Sequence, residues 1–101
     1  MLQDQTVPAS KKTQKYDLEE RTEKFADDVR NFICQVPRTI SNIEDCKQLA
    51  RCSGSVAANY IEANDGMSEK DRNKHLKICR KEVKESRLFL RLIRTGDNEV
   101  V

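Results

Sequence analysis

The sequence predicts an all-α fold: an antiparallel bundle of three long helices. Three observations carry that reading. Apolar residues recur at steps of three and four along three successive stretches, marking one helix face each time. No stretch alternates with period two, so no half-buried strand is signalled. Only two prolines and three glycines punctuate 101 residues, which leaves long runs without a strong breaker.

The first helix follows residues 1–15, a polar stretch with Pro8 and no periodicity that reads as a disordered tail. Its stripe is Leu18, Thr22, Phe25, Val29, Phe32 and Val36. Asp17 is placed to cap its start, with Glu19 and Glu20 in a first turn whose dipole favours acids. Pro37 stops it. The second helix begins after Ser41, which with Glu44 matches the S-x-x-E capping box. Its expected buried stripe is Ile43, Cys46, Ala50, Ser53, Ala57 and Tyr60, and Gly66 is a suitable terminator. Ser68 and Asp71 signal the cap of the third helix, with a stripe at Leu76, Cys79, Val83, Ser86, Leu90 and Ile93. Phe89 and Leu92 widen that apolar side, and Gly96 ends the helix. Short connections make neighbouring helices antiparallel. The bundle domain thus spans residues 16–96, with 97–101 a short flexible tail.

Apolar residues make up 37% of the chain, or about 40% with the glycines, against roughly 45–50% in ordinary globular chains. The core is therefore modest, which favours a partner subunit. The formal net charge of +2 conceals an asymmetry. Residues 17–36 hold six acids against three bases, whereas residues 68–94 hold ten bases against four acids. The segment MLQDQTVPASKKTQ has no apolar signal core, and no apolar run nears the ~20 residues that span a bilayer. A cytoplasmic protein without a membrane partner is the expectation.

Four cysteines, Cys34, Cys46, Cys52 and Cys79, lack the C-x₂₋₄-C spacing of zinc sites and read as free thiols. Cys46 and Cys79 fall on apolar stripes as small hydrophobes. His75 is the single histidine, so the paired Glu-x-x-His pattern of di-metal bundles is missing. A nucleophile pair of His75 and Cys79, one turn apart, needs an exposed thiol, yet Cys79 belongs to the buried stripe. Gly-rich phosphate loops and G-x-S-x-G elbows are absent from the sequence. No enzymatic activity, cofactor, metal or small-molecule substrate is expected.

Two constellations stand out. In "RCSGSVAANYIEAN" the small residues Ser53, Gly54, Ala57 and Ala58 thin one side of the second helix. A neighbour can then approach below the usual 8–10 Å interaxial distance. Arg51 and basic side chains of the third helix are the expected partners of Asn59 and Glu62, unless those two face water. The other constellation is cationic. Lys70, Lys74, Lys77, Lys81, Lys84, Arg87, Arg91 and Arg94 recur at threes and fours along the third helix. Such a row is the footprint of an RNA or DNA backbone binder, or else a solvated face partly neutralised by Glu82 and Glu85.

The motifs also carry a resemblance. "RCSGSVAANYIEA" resembles the R-S-x-S-x-x-A-N-x-x-E-A signature of small four-helix bundle proteins encoded by intervening sequences within bacterial 23S ribosomal RNA genes. "YDLEERTEKFADDVRNFICQVPRT" is similar to that family's first helix, with its L-x-x-R-x-x-x-F-A pattern and terminal Pro. "KHLKICRKEVKESRLFLRLI" looks like its third, with the K-E-x-x-E-[ST] run at Lys81 to Ser86. The match spans residues 16–94, and only GDNEVV follows Thr95 where the family's fourth helix would lie. The resemblance implies a homo-oligomer, a ring of five being the family arrangement, with no catalytic reaction attached. It also implies a nucleic-acid-binding alternative, since relatives that accompany retroelements are basic rings that bind nucleic acid and a reverse transcriptase.

Overall fold

Among the described residues the chain builds three helices of equal length: α1 (Ser10–Ile33), α2 (Ile40–Ala63) and α3 (Glu69–Leu92). The computed structural model describes residues 10–65 and 68–96. Gly66, read as a helix terminator, and the tail at 97–101 lie outside the described residues.

Helix boundaries follow local chemistry. α1 starts at Ser10, earlier than the expected cap at Asp17, which instead sits inside the helix 3.5 Å from Arg21, one turn on. Residues 10–15, read as part of a tail, are therefore helical. The helix ends at Ile33 and unwinds through a turn into Val36 and Pro37. Thr39, not Ser41, caps α2: its extended backbone turns the hydroxyl onto the amide of Asn42 at 3.2 Å. Ser41 lies already within the first turn. Ser68 caps α3 as its sequence suggests, accepting from the Asp71 amide at 3.2 Å. α3 ends at Leu92, and Gly96 adopts φ 103°, a left-handed conformation that favours glycine.

α2 lies between the other two, each packed on it, and among the described residues no Cα atom of α1 comes within 8 Å of one in α3. The bonds between Asn42 and Arg94, Arg51 and Glu85, and Asn59 and His75 run in opposite chain order, so α2 and α3 are antiparallel. Arg30 with Ala50, and Glu19 with Asn64, establish the same for α1 and α2. The result is the expected antiparallel three-helix bundle, an open layer of 49 × 35 × 20 Å in which α1 and α3 stay apart at the backbone. Its radius of gyration, 16.5 Å, exceeds the ~13 Å of a compact chain of this length.

The core is small and sits where α1 ends and α3 ends. Val29, Val36, Leu49, Cys52 and Ile93 are buried, flanked by Phe25, Phe32, Ile33, Cys46 and Phe89. Serving two neighbours shifts the buried row of α2 to Leu49, Cys52, Ser53, Val56 and Ala63, about one position from the expected stripe. On α3 the row is Glu82, Ser86 and Ile93, whereas Leu76, Val83 and Leu90 of the expected stripe stay half exposed.

Candidate functional site

The thin segment of α2 makes room for a side chain rather than for a helix backbone. A Cβ built on Gly54 would sit 3.1 Å from the Arg30 guanidinium. That guanidinium donates to the carbonyls of Ala26 at 2.9 Å and Ala50 at 3.1 Å, and its Nη1 reaches Ser53 Oγ at 3.5 Å. Ser53 is buried, Ala57 is half-buried and Ala58 is exposed. The seam between α1 and α2 is thus closed by an arginine laid across small residues.

On the other side of α2, polar groups stitch it to α3. Arg51 spans Glu82 at 3.5 Å and Glu85 at 3.0 Å. Its partners are acids of α3, and the Glu85 hydrogen bond raises its already high pKa further. Glu82 is only 6% exposed, its Oε1 accepts no hydrogen bond among the described residues, and the Arg51 guanidinium is the cation that compensates that oxygen. Asn59 Oδ1 lies 2.9 Å from His75 Nδ1, and its amide donates to Ser55. A histidine therefore takes the place expected for Arg51 or a lysine, while Glu62 is exposed. Ser86 donates to the Glu82 carbonyl at 2.9 Å and lies 3.2 Å from Cys52 Sγ.

The Cys79 thiol donates to the Val56 carbonyl at 3.4 Å. Burial pushes the thiol pKa of Cys79 upward. Burial does the same for Cys46, with Asp45 adding to it and Arg38 opposing. All four cysteines are free, Cys34 exposed and Cys52 buried. Among the described residues no three acidic, cysteine or histidine side chains gather as a metal site, and no helix is long and apolar enough to cross a membrane.

Asn42 is the residue that sequence reasoning missed. Almost completely buried, it donates to the carbonyls of Pro37 at 2.9 Å and Arg94 at 2.8 Å and accepts from the Arg94 amide at 3.0 Å. One side chain thereby ties the first interhelix turn to the end of α3. The available signal is an asparagine in the first turn of a helix, a position where its amide has no need to serve the helix itself.

The cationic row of α3 divides when wound at ~100° per residue. Glu82, Ser86 and Ile93 mark the face against α2. Lys70, Lys74, Lys77, Lys81 and Lys84 fall within an arc of about 80° on one flank. Arg72, Arg80 and Arg87 fall within a like arc of about 80° on the opposite flank, Arg91 lies on the back between them, and Arg94 lies beyond the end of α3. The ion pair from Arg51 to Glu85 fixes which flank is which. Arg51 leaves α2 on its exposed face, with Glu44, Gln48 and Ala58, and Glu85 lies on the lysine side of α3. The arginine flank therefore lies on the side of α2 that carries the buried Leu49, Ser53 and Val56. All these cations are exposed. Lys81 makes an ion pair, a loose 4.0 Å contact with Glu85.

A family model described as 23S rRNA-intervening sequence protein matches residues 14–97. No curated protein matches the chain, and no solved structure does.

Proposed function

The chain belongs to the 23S rRNA-intervening sequence protein family, and from that premise we propose that it is a non-enzymatic helical module that assembles with copies of itself. The carrying observation is an apolar patch at one end of the layer. Ile40 is 87% exposed, Leu88 48% and Leu92 44%. Leu88 and Leu92 are one turn apart on the lysine flank of α3, and the Asn42–Arg94 bonds bring the start of α2 to that same end. Half-exposed aliphatics gathered on so small a domain favour association. Phe89, which the sequence offers as part of such a patch, is instead half-buried against the core, and Leu88 takes its place. The absence of catalysis belongs to the same reading. His75 engages Asn59 and the Cys79 thiol engages Val56, so neither presents a free nucleophile.

Light scattering on the eluting protein at tens of micromolar tests the proposal. A mass several times that of the 11.7 kDa chain is expected, five copies being the arrangement that the family resemblance implies. Leu88→Lys with Leu92→Lys should return it toward one chain. A monomer mass for the unmodified protein would overturn the proposal.

A second reading, binding to RNA or DNA in the cytoplasm, is favoured by the lysine arc. Five cations on one flank over about four turns suit a phosphate backbone. Affinity for a short RNA duplex should fall steeply with salt, and Lys77→Glu should reduce the salt slope by about one. Affinity unchanged by salt would rule it out.

A further inference from the structure

Where α1 ends and α2 begins, the chain leaves a groove between the two helices. Pro37 cannot continue α1, and α2 starts only at Ile40, so a turn separates the two helix ends. The groove has a volume of about 430 Å³, within the range of roughly 300–1,000 Å³ in which proteins hold small molecules. Its lining comes from α1, α2 and the turn between them, and α3 contributes none of it. Ile33, Val36, Pro37 and Ile43 supply its apolar surface. Its charged residues are Arg30, Arg38 and Lys47, and no carboxylate lines it.

The walls are pinned by their own bonds. Asn42 donates to the Pro37 carbonyl at 2.9 Å, tying the turn to α2. Arg30 donates to the Ala50 carbonyl at 3.1 Å, tying α1 to α2. A site held in shape beforehand loses less freedom on binding. The three cations stand differently. Arg30 is committed to the carbonyls of Ala26 and Ala50. Lys47 lies 3.6 Å from Glu44, an exposed pair that contributes little. Arg38 has no ion pair among the described residues. Its field nonetheless reaches the groove wall. Burial and then Asp45 push the Cys46 thiol pKa up, and Arg38 works against them.

We propose that this groove binds a free small organic acid, a carboxylate carried on a short aliphatic chain or ring. Charge complementarity selects that ligand. Its apolar body covers Ile33, Val36 and Ile43, and its carboxylate meets Arg38 at the rim. The planar guanidinium matches a carboxylate with two parallel, charge-assisted bonds. A cationic ligand would meet three like charges. A neutral hydrocarbon would cover charged groups without pairing them. A phosphate backbone has no use for the apolar lining, and the lysine arc of α3 suits it better. The inference goes beyond self-assembly and does not depend on it, since Leu88 and Leu92 belong to α3.

The test titrates the full chain with anilinonaphthalene sulfonate, an aryl anion whose fluorescence rises on binding. Octanoate, octylammonium and octanol, which share a chain length and differ in charge, then compete for the dye. Octanoate should displace it at a concentration at least about tenfold below that of either analogue. Arg38→Glu should weaken octanoate binding by about tenfold or more, and Ile43→Asp likewise. Lys77→Glu, on α3, should change it less than about twofold. Circular dichroism confirms that each variant is folded, and Ile43→Ser replaces Ile43→Asp should the latter unfold. Cys34 and Cys46 line the groove and report the ligand's position. Saturating octanoate should slow their alkylation by iodoacetamide severalfold and leave Cys79 at its own rate.

Equal displacement by the three competitors, no displacement by octanoate, octanoate binding unchanged in Arg38→Glu, or unslowed alkylation of Cys34 and Cys46 would each overturn the proposal. So would loss of octanoate binding in Leu88→Lys with Leu92→Lys, which would move the site to a contact between copies. None of these outcomes alters the mass expected of the unmodified chain, so the two readings fall separately.

Discussion

At the residue scale two side chains set the geometry by filling space that sequence patterns leave undefined. Asn42 satisfies three backbone groups at once, those of Pro37 and Arg94. Replacing it with Ala strands buried donors and acceptors, which costs about 1–3 kcal/mol apiece when unsatisfied. Asn42→Ala should therefore lower the unfolding free energy by about 2–3 kcal/mol in urea titration, more than most surface changes. An effect below ~0.5 kcal/mol would show that water replaces the amide without loss. Gly54 gives the opposite case. A methyl there meets the mobile end of Arg30 at 3.1 Å, which can shift by a few tenths of an ångström. Gly54→Ala also gains about 1 kcal/mol of helix propensity. The change should be close to neutral in thermal melts. Gly54→Leu should destabilise clearly, because its bulk evicts the guanidinium from the Ala50 carbonyl.

At the element scale the seams of α2 behave differently on its two sides. Towards α3, the buried Glu82 depends on Arg51. Arg51→Met should destabilise the protein, and adding Glu82→Leu should recover most of the loss, because no uncompensated buried carboxylate then remains. Failure of the second change to rescue would show that the pair contributes through packing alone. The seams also carry a pH signature. Cys46 and Cys79 hold their protons more tightly in the folded chain than the ordinary value of 9.0, chiefly through burial. The native state then retains protons that the unfolded chain has released. Stability from this source is intact below pH ~9 and falls as pH rises through the folded values. The difference between the wild-type chain and Cys46→Ala with Cys79→Ala, followed by denaturant titration from pH 8 to 10, should shrink with rising pH.

Much of this scale was legible. Period and breakers fixed the number of helices, their order and the Ser68 cap. The phase of each buried face was not, because a helix with neighbours on two sides has no single stripe. Leu76, Val83 and Leu90 keep perfect heptad spacing yet stay substantially exposed, and Glu82 reads as a solvent residue until Arg51 is seen beside it. The cationic row was legible as a line of charge. Its division into lysine and arginine flanks follows from winding the helix, but which flank lies beside the exposed face of α2 needs the Arg51–Glu85 pair, which only the fold supplies.

At the scale of the whole molecule, an open layer must draw stability from elsewhere. Among the described residues only seven apolar side chains are buried, and the domain leaves Leu18, Ile40, Ile61 and five aliphatics of α3 substantially exposed. Small domains that bury so little of their surface are marginal alone. Association that hides Ile40, Leu88 and Leu92 adds stability by mass action, since it binds the folded state and not the unfolded one. The melting temperature should therefore rise with protein concentration, a dependence that a monomer lacks. For n copies that unfold to separate chains, each tenfold increase in concentration supplies a fraction (n − 1)/n of about 1.4 kcal/mol to every subunit. For a domain near 100 residues, 1 kcal/mol moves the midpoint by roughly 4–8 °C. Scanning calorimetry over two decades of concentration should then show a shift of roughly ten degrees, and Leu88→Lys should flatten it. A midpoint independent of concentration, together with a monomer mass, would mean that the open layer is stable by itself and that its exposed aliphatics await a different partner.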